Sequence, residues 1–313
     1  MPTASCVLRT GDRRQHQNQG AKTLKPILSA TRMRTAALAA VLAGLAASAG
    51  AGSIQQPGLT TGMAEGYGLT EGVFSATLLN SGLRTTDPHT TQTVGMPTFF
   101  TWSTPWDVGP AHVSLKAAPL VGVGLDAPGL SETNVYNPYV SVWFSFFLGN
   151  GFNLSLGEGA QIGLSNDLTT AIGRDFTAFQ QNVALSYVKN NWNATANAFY
   201  TTGRTRDTGS QPRTFNVDLT VSKRKLRKEY GVVGYGQWDL DSPAVGYLPE
   251  GQKQSEFAVG GLFGYIVGNL VMVQAKLTTD VYQKNLGGYD TRLWLQVVLP
   301  VWTPRAPTPR NAR

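Results

Sequence analysis

The sequence holds one cysteine, Cys6, in 313 residues. Cys6 falls in a stretch that reads as a removable leader, so the mature chain is expected to lack disulfides, thiol catalysis and thiolate metal sites. Histidine is nearly as scarce, at 3 residues. Past the leader only His89 and His112 remain, too few for a convincing metal centre. Charged residues make up only 14% of the chain, and outside the leader no run approaches the length of apolar chain that a membrane-spanning helix needs, which excludes an inner-membrane helical protein. The formal charge of +7 invites a nucleic-acid reading. That balance sits in the leader: residues 1–51 carry 7 Lys/Arg and 1 Asp, which leaves 19 basic and 18 acidic residues elsewhere. No nucleic-acid partner is expected.

What is abundant is glycine, at 35 residues, with 10% aromatics, a composition of strand and turn formers rather than of helix. From Met33 an Arg is followed by an Ala/Val/Leu/Gly run to Ala51, with Ala47-Ser48-Ala49 and Ala49-Gly50-Ala51 suited to signal peptidase. The 32 residues ahead of Met33 read as an upstream start assigned in error, and Arg13-Arg14 lacks the hydrophobic sequel of a twin-arginine signal. The domain reading is therefore a leader over 1–51, a Gly/Thr-rich segment over 52–72 that is either periplasmic or lumenal, a barrel over 73–302, and a disordered Arg/Pro tail over 303–313.

The barrel reading starts from Tyr289–Trp302. Leu293, Leu295, Val297, Leu299 and Val301 point one way along an extended chain, and Arg292, Trp294, Gln296 and Val298 the other. Five uninterrupted aliphatic positions suit a lipid-facing row, and the segment is long enough to cross a bilayer obliquely. The preceding stretch alternates in the same way, with Gln274, Lys276, Thr278, Asp280 and Tyr282 on its polar side. The two form a hairpin around Asn285–Gly288, and matching apolar to apolar places Asp280 opposite Arg292.

Twelve strand candidates follow: about 73–83, 93–104, 111–124, 135–148, 152–164, 175–188, 192–203, 213–223, 230–240, 255–267, 271–282 and 290–302. Short connections such as Gly149-Asn150-Gly151 alternate with longer polar ones, including Leu125–Asn134, Ser165–Arg174 and Asp241–Gln254. An even strand count with short turns at one end and long loops at the other predicts an all-β fold, a transmembrane antiparallel up-and-down β-barrel of about 12 strands. In the strand at 152–164, the lipid-facing row would include Glu158, which implies a bulge or a misassigned face.

Three stretches carry a resemblance: Asn137-Pro138 with an aromatic strand and Gly149-Asn-Gly151; Asn190-Asn-Trp192-Asn-Ala-Thr-Ala-Asn-Ala198; and Arg292-Leu-Trp-Leu-Gln-Val-Val-Leu-Pro-Val301. In order and spacing the chain resembles the outer-membrane protein family of the meta-pathway of phenol degradation. The resemblance implies a barrel that passes small aromatic or hydrophobic compounds across the bacterial outer membrane. The Arg/Pro tail departs from barrels whose terminal strand ends the chain, the form that the barrel assembly machinery reads.

No catalytic or metal constellation is evident, so no enzyme activity and no cofactor are expected. A hydrolase would need a His-Ser pair with a polar orienter, and His112 with Ser114 cannot form one within a single extended strand. The Gly122-Val-Gly124 and Gly260-Gly261 runs lie inside strands, with no helix after them to bind a phosphate. The basic run Lys223–Lys228 reads as a solvated periplasmic turn, or else as a contact for anionic lipid. The expected partners are outer-membrane lipids and small aromatic or hydrophobic solutes. The pathway candidates on the inner face are Asp218, Lys276, Asp280, Arg292, Trp294, Gln296, Phe199 and Trp143. A structural or adhesive barrel with a plugged lumen is the second reading, and an outer-membrane lipid hydrolase the third.

Overall fold

The computed structural model describes residues 55–85, 89–202, 213–240, 253–268 and 270–304, with the backbone of 204–206 and 209–211. The leader, the cleavage site and nearly all of the tail lie outside the described residues.

The strands are β1 (Gly72–Arg84), β2 (Thr90–Val108), β3 (Ala111–Ala127), β4 (Leu130–Tyr136), β5 (Tyr139–Gly149), β6 (Phe152–Gln161), β7 (Ala178–Lys189), β8 (Trp192–Thr201), β9 (Arg204–Arg206), β10 (Gly209–Gln211), β11 (Arg213–Lys225), β12 (Lys228–Leu240), β13 (Ser255–Val267), β14 (Val271–Lys284) and β15 (Asp290–Trp302). β9 and β10 pair only with each other, in a small hairpin where the sequence reads as a loop. β4 and β5 pair with successive halves of β3 and so form one interrupted wall strand. With β1 paired to both β2 and β15, the sheet closes into an antiparallel barrel of twelve strands.

Period-two patterning accounts for this closure. Along β11, Asn216, Asp218, Thr220 and Ser222 are buried while Phe215 and Val221 are exposed. β15 buries Arg292, Trp294 and Gln296 and exposes Leu293 and Leu295. A closed barrel also satisfies every strand edge, the condition for crossing a bilayer with sheet. The lipid-facing row makes a depth-dependent prediction. Leu295→Arg, near the middle of β15, should cost about 2–4 kcal/mol in folding into lipid bilayers, and Thr291→Arg at the outer end about 0–1 kcal/mol. Equal penalties in a denaturant titration would show that the strand does not cross the bilayer as described.

Four expectations need correction. Leu125–Asn134 is not a loop, because β3 runs on to Ala127 and turns through Gly129 (φ 80°) into β4. The basic run Lys223–Lys228 is not turn throughout, since Lys225 pairs with Lys228 across a two-residue turn in which Leu226 takes φ 56°. Glu158 needs neither a bulge nor a changed face: the ladder through Val142↔Glu158 and Glu158↔Gln181 is regular, and the carboxylate stands on the outer face beside Gln181.

The fourth correction concerns the last hairpin. Thr278, not Asp280, lies opposite Arg292, and Lys276 lies opposite Trp294. The register is two residues from the expected one. A shift of two preserves both faces, so apolar matching fixes a register only to within two.

Candidate functional site

The barrel interior is occupied. Residues 55–69 run up from β1 into the lumen as a chain of tight turns, with Leu59, Thr61, Met63 and Tyr67 each donating a backbone N–H to the carbonyl three residues earlier. Glycines spaced by four let this backbone press against the wall. Gly58 has φ 85°, and a Cβ there would stand 2.5 Å from Tyr235 and 2.9 Å from Trp294. A Cβ on Gly66 would meet the Ser186 nitrogen at 2.6 Å and the Ala184 carbonyl oxygen at 2.8 Å. The segment is written for close backbone approach.

Its hydrogen bonds cross the lumen from wall to wall. The N–H groups of Gly58 and Thr60 donate to the two Asp218 carboxylate oxygens at 2.8 and 2.9 Å, and the Thr60 hydroxyl donates at 2.8 Å. Lys276 donates to the Thr61 carbonyl (2.6 Å) and to Gln296 Oε1 (3.0 Å). Asn197 reaches Thr60 Oγ1 at 3.1 Å, Gly62 N–H donates to Thr220 (2.7 Å), and Gly66 bonds Ser186 and Ser155. On the far wall Lys116 pairs with Glu65 at 2.5 Å, its ammonium 3.7 Å above the Trp143 ring. Backbone amides held by a carboxylate on one side and carbonyls held by an ammonium on the other make this plug a built element, because each bond replaces water with a charged partner.

Two cavities flank the plug. On the periplasmic side a vestibule of about 490 Å³ is lined by Gly62–Glu65, Lys189–Asn193 and Glu229. On the outer side a smaller cavity of about 100 Å³ sits against Leu78, Met96, Ala118, Val121, Tyr139 and Phe199. Apart from Phe199, these residues belong to an apolar cluster that also takes in Leu59 of the plug and Leu168. Leu168 comes from α1 (Asp167–Ala171), a single turn held by reciprocal capping between Asn166 and Thr169. Two amides in the lining have a nitrogen without a protein acceptor: Asn182 Nδ2 (residue 2% exposed) and Gln296 Nε2 (1% exposed). The Lys276 ammonium, which can only donate, fixes the Gln296 amide with its oxygen toward Lys276, and Asn182 Oδ1 accepts from Gln180 Nε2. The cavity is thus mainly apolar, with two buried amides in its lining.

At the outer mouth a charge cluster lines the same lumen. Arg292 pairs with Asp290 at 2.6 Å and donates to Asn80 (2.6 Å) and Gln92 (3.1 Å). Arg84 stands 3.3 Å from Glu256, 3.8 Å from Asp280 and 3.9 Å from Asp290. The expected Asp280–Arg292 cross-strand pair is thus replaced by Arg292–Asp290 along one strand and Arg84–Asp280 across the barrel closure.

The eight residues singled out from the sequence divide four ways. Asp218 and Lys276 hold the plug; Trp143, Phe199 and Gln296 line the outer-side cavity; Asp280 and Arg292 belong to the mouth cluster. Trp294 sits under Gly58, with its indole N–H donated to Thr278 at 3.0 Å. The sequence reading missed the apolar wall on β2 and β3 and the plug contacts. Apolar residues of both parities, as in Leu120-Val121-Gly122-Val123, mark that wall, and the spacing Gly58, Gly62, Gly66 marks the plug.

A hydrogen-bond relay links Ser103 Oγ to His112 Nε2 (2.8 Å) and His112 Nδ1 to Asp107 (3.0 Å). The histidine partner is therefore Ser103 and not Ser114. Ser103 is 0% exposed and donates its proton to the Leu69 carbonyl at 2.7 Å. The relay ties down the end of the plug, and its hydroxyl is closed to any solute while Leu69 stays in place. Among the described residues no group of acidic, histidine or cysteine side chains is arranged to hold a metal ion.

Comparison with known proteins fits this architecture. The COG4313 outer membrane channel of Pseudomonas putida F1 superposes with a TM-score of 0.55 at 10% identity, over 74% of this chain and 96% of that one. The NanC porin gives 0.47 at 12% identity, over 72% of this chain and 100% of that one. No curated protein matches the chain. The family model described as "Putative MetA-pathway of phenol degradation" covers residues 72–297, from the first strand to the last. The chain belongs to that family, and its fold is that of the outer-membrane β-barrels.

Proposed function

We propose that the protein is an outer-membrane channel for small aromatic or hydrophobic compounds, with a lumen held shut by residues 55–69 until they move. The observation that carries this reading is the apolar cavity on the outer side of the plug, where Asn182 and Gln296 present free N–H donors. A hydrated ion gains nothing from such a wall, whereas a phenolic ring buries its faces and finds a donor for its oxygen. A second reading, a purely structural barrel, is favoured by the density of bonds that hold the plug. Binding separates the two. Purified protein should bind 1-naphthol saturably, and Ala118→Phe, which fills the cavity, should weaken binding at least about 10-fold, or about 1.4 kcal/mol. An absence of saturable binding would favour the structural barrel.

A further inference from the structure

The periplasmic end of the wall between β7 and β14 carries charge of one sign. Residues 186–195, 219–232 and 260–274 form three neighbouring hairpin ends, in which six residues are basic and one, Glu229, is acidic. Glu229 is buried on the inner face, where it accepts from Ser222 and Gln274 and stands 3.9 Å from Arg224. The outward cations are left without a carboxylate from these hairpins. The row that exposes Val221 puts Lys223 and Lys225 on the outer face of β11, the row of Tyr230 and Val232 puts Lys228 on that of β12, and the row of Val183 and Leu185 puts Lys189 on that of β7.

An aromatic row fixes the depth of these ammoniums. Trp192 pairs with Lys189 on one side and Lys223 on the other, and Lys223 Nζ lies 4.7 Å from the centre of its ring. Tyr230 pairs with Lys223 and with Phe263, and Tyr265 with Lys228. All four rings are exposed on the lipid side, and such rows mark the boundary between hydrocarbon and headgroups. With a rise of about 3.3 Å per residue and a strand tilt of about 40°, Lys225 lies about 5 Å beyond Lys223. That places it in a headgroup layer roughly 5–8 Å deep. Lys225 and Lys228 stand directly opposite each other on the ladder. Like charges so placed destabilise a hairpin, and an anion between them removes the repulsion.

We infer that Lys223, Lys225 and Lys228, with Lys189 beside them, bind the phosphate of an anionic phospholipid in the inner leaflet. The phosphate oxygens accept from the ammoniums while the lysine stems lie along the aromatic row. A zwitterionic headgroup brings its own cation and so relieves less of the repulsion. The site is on the outer surface of the barrel and does not depend on what passes through the lumen.

The test uses the mature chain with Leu226→Cys, which carries a bimane label at the exposed tip of the turn. In phosphatidylcholine bilayers, spin-labelled phosphatidylglycerol should quench the label at a mole fraction at least about 5-fold lower than spin-labelled phosphatidylcholine does. Lys223→Gln/Lys225→Gln/Lys228→Gln should bring the two lipids within about 2-fold of each other, whereas Lys223→Arg/Lys225→Arg/Lys228→Arg should keep the preference. Heat-modifiable gel migration confirms that each barrel is folded. Equal quenching by the two lipids in the labelled parent overturns the site. So does a preference that the Lys→Gln variant retains, or one that the Lys→Arg variant loses.

Discussion

Asp218→Ala should convert a mostly silent barrel into a conducting one. The carboxylate accepts three hydrogen bonds from Gly58 and Thr60, and hydrogen bonds to a charged group contribute about 1.5–3 kcal/mol each. Water replaces part of this once the segment leaves the lumen, so we take a net loss of about 3 kcal/mol, enough to raise the open fraction roughly 100-fold. Single-channel recording in planar bilayers reads that change as open probability. Asp218→Asn, which keeps two acceptor lone pairs but no charge, should fall between the two. Open probability unchanged in Asp218→Ala would mean that the plug is held elsewhere.

Arg292→Ala carries the second large effect, on stability. The guanidinium is buried and faces Asp290, Asn80 and Gln92, while Asp280, Asp290 and Glu256 share Arg84 as their other cation. Its removal leaves three carboxylates against one arginine. Breaking a buried charge network by deleting one partner costs about 3–5 kcal/mol, so the urea midpoint for unfolding from lipid should fall well below that of the parent. Arg292→Lys should recover only part, because an ammonium cannot reach Asp290, Asn80 and Gln92 as a planar fork does. A parental midpoint would place the mouth charges in water.

Much of the barrel was legible because alternation is a local property. The inner and outer rows of β15 can be read residue by residue, and closure follows once each strand has an oily side and a polar one. Three things were not legible, each for a physical reason. The register of the last hairpin is invisible to a pattern of period two, since Thr278 and Asp280 point the same way. β4 reads as loop in the sequence because Leu130–Tyr136 (LSETNVY) lacks an apolar row. The plug is hard to read from sequence because many of its anchors are backbone amides and carbonyls, which leave no side-chain signature. Its partners Asp218 and Lys276 read as lumen residues like any other, because nothing in their own strands marks a segment packed against them. The same holds for the apolar wall, where Val94, Met96, Val121 and Val123 face a cavity instead of lipid.

The central claim is that residues 55–69 close the lumen and must move for passage. Thr60 of the plug accepts from Asn197 of β8 at 3.1 Å, so Thr60→Cys/Asn197→Cys in the mature chain provides a reversible lock. Conductance of this variant in a planar bilayer, recorded oxidised and then after addition of a thiol reductant to both chambers, tests the claim most directly. The expected record is silence while the disulfide holds and openings after reduction. Equal conductance in the two states, with the bridge shown by mass spectrometry to have formed, would contradict it.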